Sequence, residues 1–402
     1  MMTVPAPTTR RDFLRGRSLA EAATALLPDP DEFPRAAGSA DSVNLITASR
    51  RAMACRFEIV LPATWPDAIA AASAALDEVE RLEDQMTVYN DASEVSRINL
   101  LAAATPVPVE RRLFELFDTA MRLNAATDGA FDIAAGALVK CWGFFRGPKR
   151  LPSPDELSEV MRRVGSNHVV LDRERRTITF DRPGVEINLG AIGKGYALDR
   201  AAECLRDDWG FVAALLHGGR SSVLAIGRPS DEEKGVGRLL CEAPSGPSRQ
   251  KTPDPFFPTT DDGWLVGIAH PWRDGERIAT VRLCNQALGT SGATIQWFEA
   301  NGRRFGHILD PRSGWPAEGQ TCVSVIAPTA AEADALSTAL FVLGPEKARE
   351  FCECRQDVGA VLVSADASNG QVQIETLGLA CELVTPCGDS PLDDNGQRTT
   401  DD

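Results

Sequence analysis

The succession of elements predicts an α+β fold, with mixed sheets and flanking helices. Short β runs come in hairpin-like pairs more often than as strand–helix–strand units. Two long stretches carry the apolar spacing of helices, and one run alternates between an apolar and a polar face.

The alternating run is residues 53–61, with Met53, Cys55, Phe57, Ile59 and Leu61 on one face and Arg56 and Glu58 on the other, as in a half-buried strand. A helix follows. Pro66 stands where a first helical turn tolerates proline, and the alanine-rich stretch continues to about Met86. Leu113, Leu116, Phe117, Ala120 and Met121 mark a second helix by their spacing. Strands are expected at 168–171, 177–180 and 185–189, then a helix over 194–206. Further strands are expected near 211–216, 222–226, 264–269 and 278–284, and a last helix at about 329–343. Residues 229–262 hold many Pro, Gly, Ser and Asp without a sustained period, which marks a loop-rich insertion. No internal repeat is evident.

The two ends differ from the single domain expected over 43–384. In the basic arm 1–42, the run Thr9-Arg10-Arg11-Asp12-Phe13-Leu14-Arg15 looks like a twin-arginine export signal. The apolar stretch such a signal needs is interrupted by Arg15, Arg17 and Glu21 and ended by Pro28, Asp29, Asp31 and Glu32, so a disordered arm or an eroded signal is the other reading. Residues 385–402 are polar, acidic and rich in turn formers, the composition of a disordered tail.

Composition narrows the function classes. The chain has 402 residues and is 43% hydrophobic, enough for a large core. With 57 acidic against 42 basic residues its net charge is -15, which disfavours nucleic acid and anionic lipid as partners. No apolar run approaches the length of about 20 residues that a membrane-spanning helix needs. Ten cysteines are scattered without a paired CxxC, so free thiols are expected rather than a zinc site or a disulfide scaffold.

Several familiar motifs fail on spacing. Gly190, Gly193 and Gly195 read GxxGxG, the reverse of a dinucleotide fingerprint, and Lys194 is followed by glycine where a P-loop needs Ser or Thr. Thr290-Ser291-Gly292 lacks the GxSxG spacing of a nucleophile elbow, so His217-Gly218-Gly219 is not read as an oxyanion loop. The segment Leu189–Tyr196 sits between an expected strand and helix. There, free N–H groups and Lys194 would suit a phosphate, and an ordinary strand-to-helix turn fits equally.

Residues 287–344 are more informative, because they set His307 beside the turn Asp310-Pro311-Arg312-Ser313-Gly314 and place Asp334 and Thr338 one helical turn apart. Ala333, Leu336, Leu340 and Leu343 form an adjoining apolar stripe. A carboxylate plus a hydroxyl suits a hard cation such as Mg²⁺, which takes its other ligands from water and substrate phosphates. The bland alternative is a solvated aspartate and a threonine bonded to its own helix. Together the residue types suggest metal-assisted phosphoryl transfer.

Seven segments in this order resemble the ApbE family, the FAD:protein FMN transferases. They are LEDQMTVYNDASEVSRIN (82–99), TDGAFDIAAGALVKCWGF (127–144), INLGAIGKGYALDRAAECL (187–205), HGG (217–219), GTSGATIQWF (289–298), GHILDPRSGWP (306–316) and APTAAEADALSTALFVLG (327–344). The resemblance implies an ApbE-like fold with a larger and a smaller lobe and FAD in the cleft between them. It implies Mg²⁺-dependent transfer of FMN from FAD to a threonine or serine hydroxyl of a target protein, with release of AMP. By matching position, Met53, Tyr89, Ala130, Phe131, Asp132 and Ser291 would contact the dinucleotide, with Gly193 and Lys194 near its phosphates. Asp334, Thr338 and the carbonyl of Ala191 would bind Mg²⁺. His307 would be the base, with Asp310 beside it. For Phe131 core packing is the alternative, and for Tyr89 a buried ring with a bonded hydroxyl.

The chain departs from the family pattern at several points. Met53-Ala54-Cys55 stands for Met-Gly-Thr, Asn188 and Arg220 stand where aspartates are common, and Ser313 replaces threonine. A hydrolase splitting FAD into FMN and AMP, or an FAD-binding protein without turnover, are the competing classes. The resemblance points to subunits of bacterial redox complexes as acceptors. It leaves the compartment open between cytoplasm and cell envelope, with no lipid-attachment cysteine near the start.

Overall fold

A β-hairpin is the first described element of the chain, and its turn sits at the first candidate residue. Strand β1 (Leu45–Ala52) pairs antiparallel with β2 (Cys55–Pro62), and the Ala52–Cys55 pair leaves only Met53 and Ala54 to reverse the chain. Both have positive φ, 49° and 61°, the signature of a type I′ turn. Met53 therefore lies in a turn and not on the strand expected over 53–61. Residues 55–61 do alternate, with Phe57, Ile59 and Leu61 buried.

The computed structural model describes residues 44–228, 259–260, 263–273, 276–293, 296–319, 321–365 and 372–378. The expected arm 1–42, the tail 385–402 and all of the 229–262 insertion except Thr259–Thr260 lie outside the described residues. In chain order, helices α1 (Ala68–Met86), α2 (Glu94–Leu101), α3 (Arg111–Ala126), α4 (Gly136–Cys141) and α5 (Pro154–Met161) accompany strands β3 (Val107–Pro108), β4 (Val169–Asp172) and β5 (Thr177–Phe180). Then come α6 (Gly193–Glu203), β6 (Ala214–Gly218), β7 (Ser222–Ile226), β8 (Thr259–Thr260), β9 (Gly263–Ala269), β10 (Arg277–Leu283), β11 (Ala287–Gly292), β12 (Trp297–Ala300) and β13 (Arg303–Gly306). The chain continues through β14 (Cys322–Ala327), α7 (Ala330–Leu343), α8 (Pro345–Cys354), β15 (Gly359–Ala365) and β16 (Val372–Gly378).

Eight strands form one antiparallel sheet in the order β1-β2-β6-β7-β11-β14-β15-β16. The period of two sends Phe57, Ile59, Leu216, Leu224, Val323 and Val325 into a core shared with α1, α6 and α7. Their neighbours Val60, Leu215, Ala225 and Ile326 face the opposite way, against Trp264, Val266 and Ile268 of β9 and Val281 and Leu283 of β10. The sheet is thus covered on both faces, by helices on one and by the small sheet β10-β9-β8 on the other. A third core surrounds Trp142, whose Nε1 donates to the Gly314 carbonyl at 2.9 Å, and includes α4, α5 and the β12–β13 ribbon. The α+β expectation holds.

Residues 185–189 are extended but join no ladder. The Asn99 side chain accepts the Ile187 N–H at 2.7 Å and donates to the Ile187 carbonyl at 2.9 Å, and the Asn188 N–H goes to the Ile133 carbonyl at 2.7 Å. With its backbone groups engaged in this way, the segment needs no strand partner. Helix α6 ends at Glu203 and continues as a π turn over Cys204–Asp208. The seven described cysteines are free thiols.

An alanine in the left-handed region costs on the order of 1 kcal/mol relative to glycine. Ala54→Gly is expected to raise unfolding stability by about 0.5–1 kcal/mol, measured as a shift in the urea midpoint at unchanged m-value.

Candidate functional site

Two buried helices exchange carboxylates at their N-termini. Helix α7 is apolar around most of its circumference and lies in the core, so its first N–H groups cannot reach water. Asp199 of α6 accepts from the N–H of Ala330 at 2.8 Å and of Ala331 at 2.9 Å, and the Thr329 hydroxyl accepts from the Glu332 N–H at 3.2 Å. In return, Asp334 of α7 accepts the Gly195 N–H in the first turn of α6 at 2.7 Å. Glycine is required at 195, because a Cβ there would collide with the Ala330 carbonyl. Gly289 on β11 plays the same part, since a Cβ there would collide with the backbone of Ala333 and Asp334.

Hydroxyls meet Asp334 at two points, its carboxylate and its backbone carbonyl. The Ser222 hydroxyl, at the start of β7, donates to its carboxylate at 2.7 Å. Ser291 of β11 lies 2.9 Å from the Ser337 hydroxyl and 3.1 Å from that of Thr338. Thr338 also donates to the Asp334 carbonyl at 3.3 Å, so the bond to its own helix foreseen for it is present, and Ser291 ties it to the site as well. Asp334 is 7% exposed and far from the solvated aspartate of the alternative reading. Lys194, also in the first turn of α6, hydrogen-bonds Ser221.

Burial pushes the Asp334 carboxyl up to about 6, against the pull of Lys194, Ser222 and Gly195 toward ionisation. Burial likewise pushes Asp199 up to about 7 despite its two N–H donors. Asp199 uses both oxygens on the N–H groups of α7, which leaves Asp334 as the one carboxylate that could hold a cation. Among the described residues no three His, Cys, Asp or Glu cluster around a common point. The donors here are one carboxylate and the hydroxyls of Thr338 and Ser291, hard oxygens that fit Mg²⁺ with the rest of its shell from water and phosphate.

The loop into α6 is less open than the glycines suggested. Asn188 Oδ1 accepts the Gly190 N–H at 2.8 Å, and the Leu189 carbonyl accepts those of Ile192 at 3.1 Å and Gly193 at 2.7 Å. With the Gly195 N–H on Asp334, four donors expected to be free are taken, because the turn satisfies itself. Ala191 lies in this loop, and the positive charge beside it is the Lys194 side chain.

His307 follows β13 directly. Its backbone N–H and its Nδ1 both meet the Gln296 carbonyl, at 3.1 Å each, so Nδ1 carries the proton and Nε2 keeps its lone pair. Burial holds the imidazole below its ordinary range, and the charges of Lys149 and Lys194 add to this, so it is neutral at pH 7. Asp310 does not supply a partner carboxylate to the histidine. Its two oxygens accept from the Arg312 guanidinium at 2.9 Å each within the 310–315 turn.

The remaining expected residues divide. Ala130 and Phe131 are each 1% exposed and belong to the main core, the packing alternative for Phe131. Asp132 accepts from Asn124, Ala134 and both the N–H and hydroxyl of Ser166 at 2.7–3.0 Å, which ties the segment after α3 together. Tyr89 is 57% exposed, not buried as one reading had it, and stacks on Phe145. The structure therefore gathers Gly193, Lys194, Ser291, Asp334 and Thr338 closely, brings His307 within reach of the Lys194 charge, and leaves Asp132 and Asp310 in structural roles. Reasoning from sequence missed Asp199, Ser221, Ser222, Phe145, Arg146 and Lys149. Asp199 and the two serines lie in or beside the GKGYALDR and HGG segments already singled out.

A sequence model of the ApbE family matches residues 53–362. The FAD:protein FMN transferase of Haemophilus influenzae is 32% identical over 277 residues, covering 67% of this chain and 71% of that protein. That of Treponema pallidum is 32% identical over 295 residues, 69% of this chain and 75% of that protein. Among solved structures, the ApbE protein of Thermotoga maritima matches with a TM-score of 0.67 at 27% identity, covering 82% of this chain and 96% of that one. The apo flavinyl transferase ApbE of Pseudomonas stutzeri matches with a TM-score of 0.66 at 25% identity, covering 83% and 95%.

Gly195→Ala is expected to force α6 and α7 apart and cost about 3 kcal/mol, read as a lowered denaturation midpoint. A fully stable variant with an unmoved α6 would contradict the packing described.

Proposed function

This chain belongs to the ApbE family, and from that premise we propose that it transfers FMN from FAD to a threonine or serine hydroxyl of a protein, releasing AMP. The observation that carries the reading is the pairing of a neutral imidazole, Nε2 free, with Lys194 beside the buried oxygen cluster at Asp334. The transferase names of the relatives support the same reaction class.

The chemistry follows from these groups. The acceptor oxygen attacks the phosphorus of the FMN half, the phosphorus–oxygen bond to AMP breaks, and AMP leaves with the bridging oxygen. The hydroxyl proton passes to Nε2 of His307, which is held in the accepting tautomer by Gln296. Lys194 faces the charge that builds on the phosphoryl oxygens. Asp334, with Thr338, Ser291 and the Ala191 carbonyl, would hold Mg²⁺, which when bound supplies charge compensation to the pyrophosphate. Arg220, exposed in the turn between β6 and β7, adds a further cation next to Ser221. The acceptor we infer is a subunit of a bacterial redox complex, in keeping with the family resemblance. With water as the nucleophile the same site would hydrolyse FAD; the oriented base alone does not separate the two.

One incubation separates the classes. The chain, FAD, Mg²⁺ and a candidate acceptor should yield a fluorescent acceptor band on a denaturing gel together with AMP. FMN and AMP without a labelled acceptor would mean hydrolysis, and bound FAD alone a binding protein. His307→Ala is expected to bind FAD and lose transfer by at least about a hundredfold. Because the histidine is held below its ordinary value of about 6.5, wild-type transfer should be on its plateau at pH 7 and fall on acidification with a midpoint below 6.5. A midpoint above 7 would reject His307 as the base.

Asp334→Asn keeps an acceptor for Gly195 and Ser222 but removes the charge. It should fold, and the Mg²⁺ concentration for half-maximal rate should rise by about a hundredfold, measured by titrating the metal against rate. An unchanged metal dependence would move the cation elsewhere.

A further inference from the structure

We propose that Lys149 is a positioning residue for His307, its ammonium held at the base of the 142–150 loop to work against protonation of the base; this rests on the reading above. The side chain is exposed, but the backbone that carries it is fixed. The Arg150 N–H closes the loop onto the Trp142 carbonyl at 3.2 Å, and Trp142 is anchored through its Nε1 to Gly314. Gly143, with a φ of 76°, lets the two arms of the loop touch, because a Cβ there would collide with the Pro148 carbonyl and meet the Lys149 Cα at 3.0 Å. From this base the Lys149 Nζ reaches the Trp297 carbonyl of β12 at 3.4 Å and lies 5.7 Å over the Phe144 ring. Phe144 packs edge-on to the His307 imidazole, with centroids 6.4 Å apart, and against Phe298 at 5.9 Å. Trp297 follows Gln296, whose carbonyl holds the His307 Nδ1. One ammonium thus joins the two segments that enclose the imidazole.

A chain of net charge -15 draws protons toward its histidines. A protonated imidazole cannot take the acceptor's proton. Burial is the largest influence that holds the His307 ring neutral, and the charges of Lys149 from the loop and Lys194 from α6 act in the same direction. Other charges on these segments are offset. Arg304 lies over Trp297 at 4.3 Å and stands opposite Glu299 across the ribbon, and Asp310 is bound by Arg312. In the reaction Lys194 faces the phosphoryl oxygens, whose negative charge cancels its effect on the ring. The loop lysine is then the cation left to act on the imidazole.

The test uses the full chain, isotope-labelled at its four histidines and free of FAD, as wild type, Lys149→Ala, Lys149→Glu and the conservative Lys149→Arg. NMR titration follows each imidazole, and the signal lost in His307→Gln identifies that of His307. A unit charge roughly 10 Å away, in surroundings between protein and water, moves a titration by about half a pH unit. The His307 midpoint should therefore rise by about 0.5 in Lys149→Ala and by about 1 in Lys149→Glu, and stay in place in Lys149→Arg. Most of the difference should vanish in about 1 M salt. Unmoved midpoints for His168, His217 and His270 would report an intact fold. In transfer assays the acid limb of kcat/KM should move with the ring. An unmoved His307 midpoint in both Lys149→Ala and Lys149→Glu, or a shift in Lys149→Arg as large as in Lys149→Ala, would overturn the proposal. A ring midpoint that moves while the acid limb stays would instead defeat His307 as the base, and with it the functional reading.

Discussion

The exchange of carboxylates between α6 and α7 is the constraint on which the rest of the site depends. Asp199 of α6 binds the N–H groups of Ala330 and Ala331 that open α7, and Asp334 of α7 binds that of Gly195 in the first turn of α6. A hydrogen bond contributes about 0.5–1.5 kcal/mol net, while an unpaired buried donor costs about 1–3. Neither helix can therefore shift without stranding donors on both. The exchange also fixes where Lys194 and Asp334 stand, since one lies beside Gly195 in the first turn of α6 and the other is the capping residue itself. A structural device and the candidate site are built from the same atoms.

That device needs close packing on two sides. Gly195 lets α6 meet the start of α7, and Gly289 lets β11 meet the segment around Asp334. Because the large sheet is covered on both faces, β7 and β11 are held in register and present Ser222 and Ser291 to the helix side. Hydroxyls at strand positions, Ser222 buried and Ser291 half-buried, are what put further hard oxygens near a capping aspartate. The carboxyls resist ionisation because water is excluded, and the same exclusion would strengthen the hold of Asp334 on a cation.

Periodicity made much of this legible. The helix expected at 329–343 forms over Ala330–Leu343, and the placement of Asp334 and Thr338 one turn apart holds. Strands β14 and β15 gave no alternating signal, because a strand buried on both faces has none to give. The hairpin turn at Met53 and Ala54 was hidden because neither residue has the turn chemistry of Asn or Gly. The partners of the site were beyond periodicity altogether: Ser222 is 112 residues from Asp334 and Asp199 is 131 from Ala330. Order along the chain, through the family resemblance, singled out the segments that hold or border them but not these residues. That resemblance did not separate Asp310 and Asp132, whose carboxylates are consumed by Arg312 and Ser166, from Asp334, whose carboxylate is not neutralised by an arginine.

The departures from the family pattern fall where the carboxylate exchange does not reach. Asn188 in place of aspartate still accepts the Gly190 N–H, the one bond the turn needs from it. Cys55, packed against Gly219 and within reach of the Lys194 and Asp334 charges, has its thiol pushed up to about 11 by burial. It stays neutral at working pH, as a threonine would, and adds no charge beside Asp334. Arg220 is exposed in the turn between β6 and β7, and Ala54 strains a turn without altering any oxygen around Asp334. The substitutions thus change one exposed side chain and the cost of one turn while the interior charges, Asp199, Asp334 and Lys194, keep their partners. A chain whose metal site had decayed would be expected to lose those interior groups first, because an unpaired buried carboxylate is the costliest to keep.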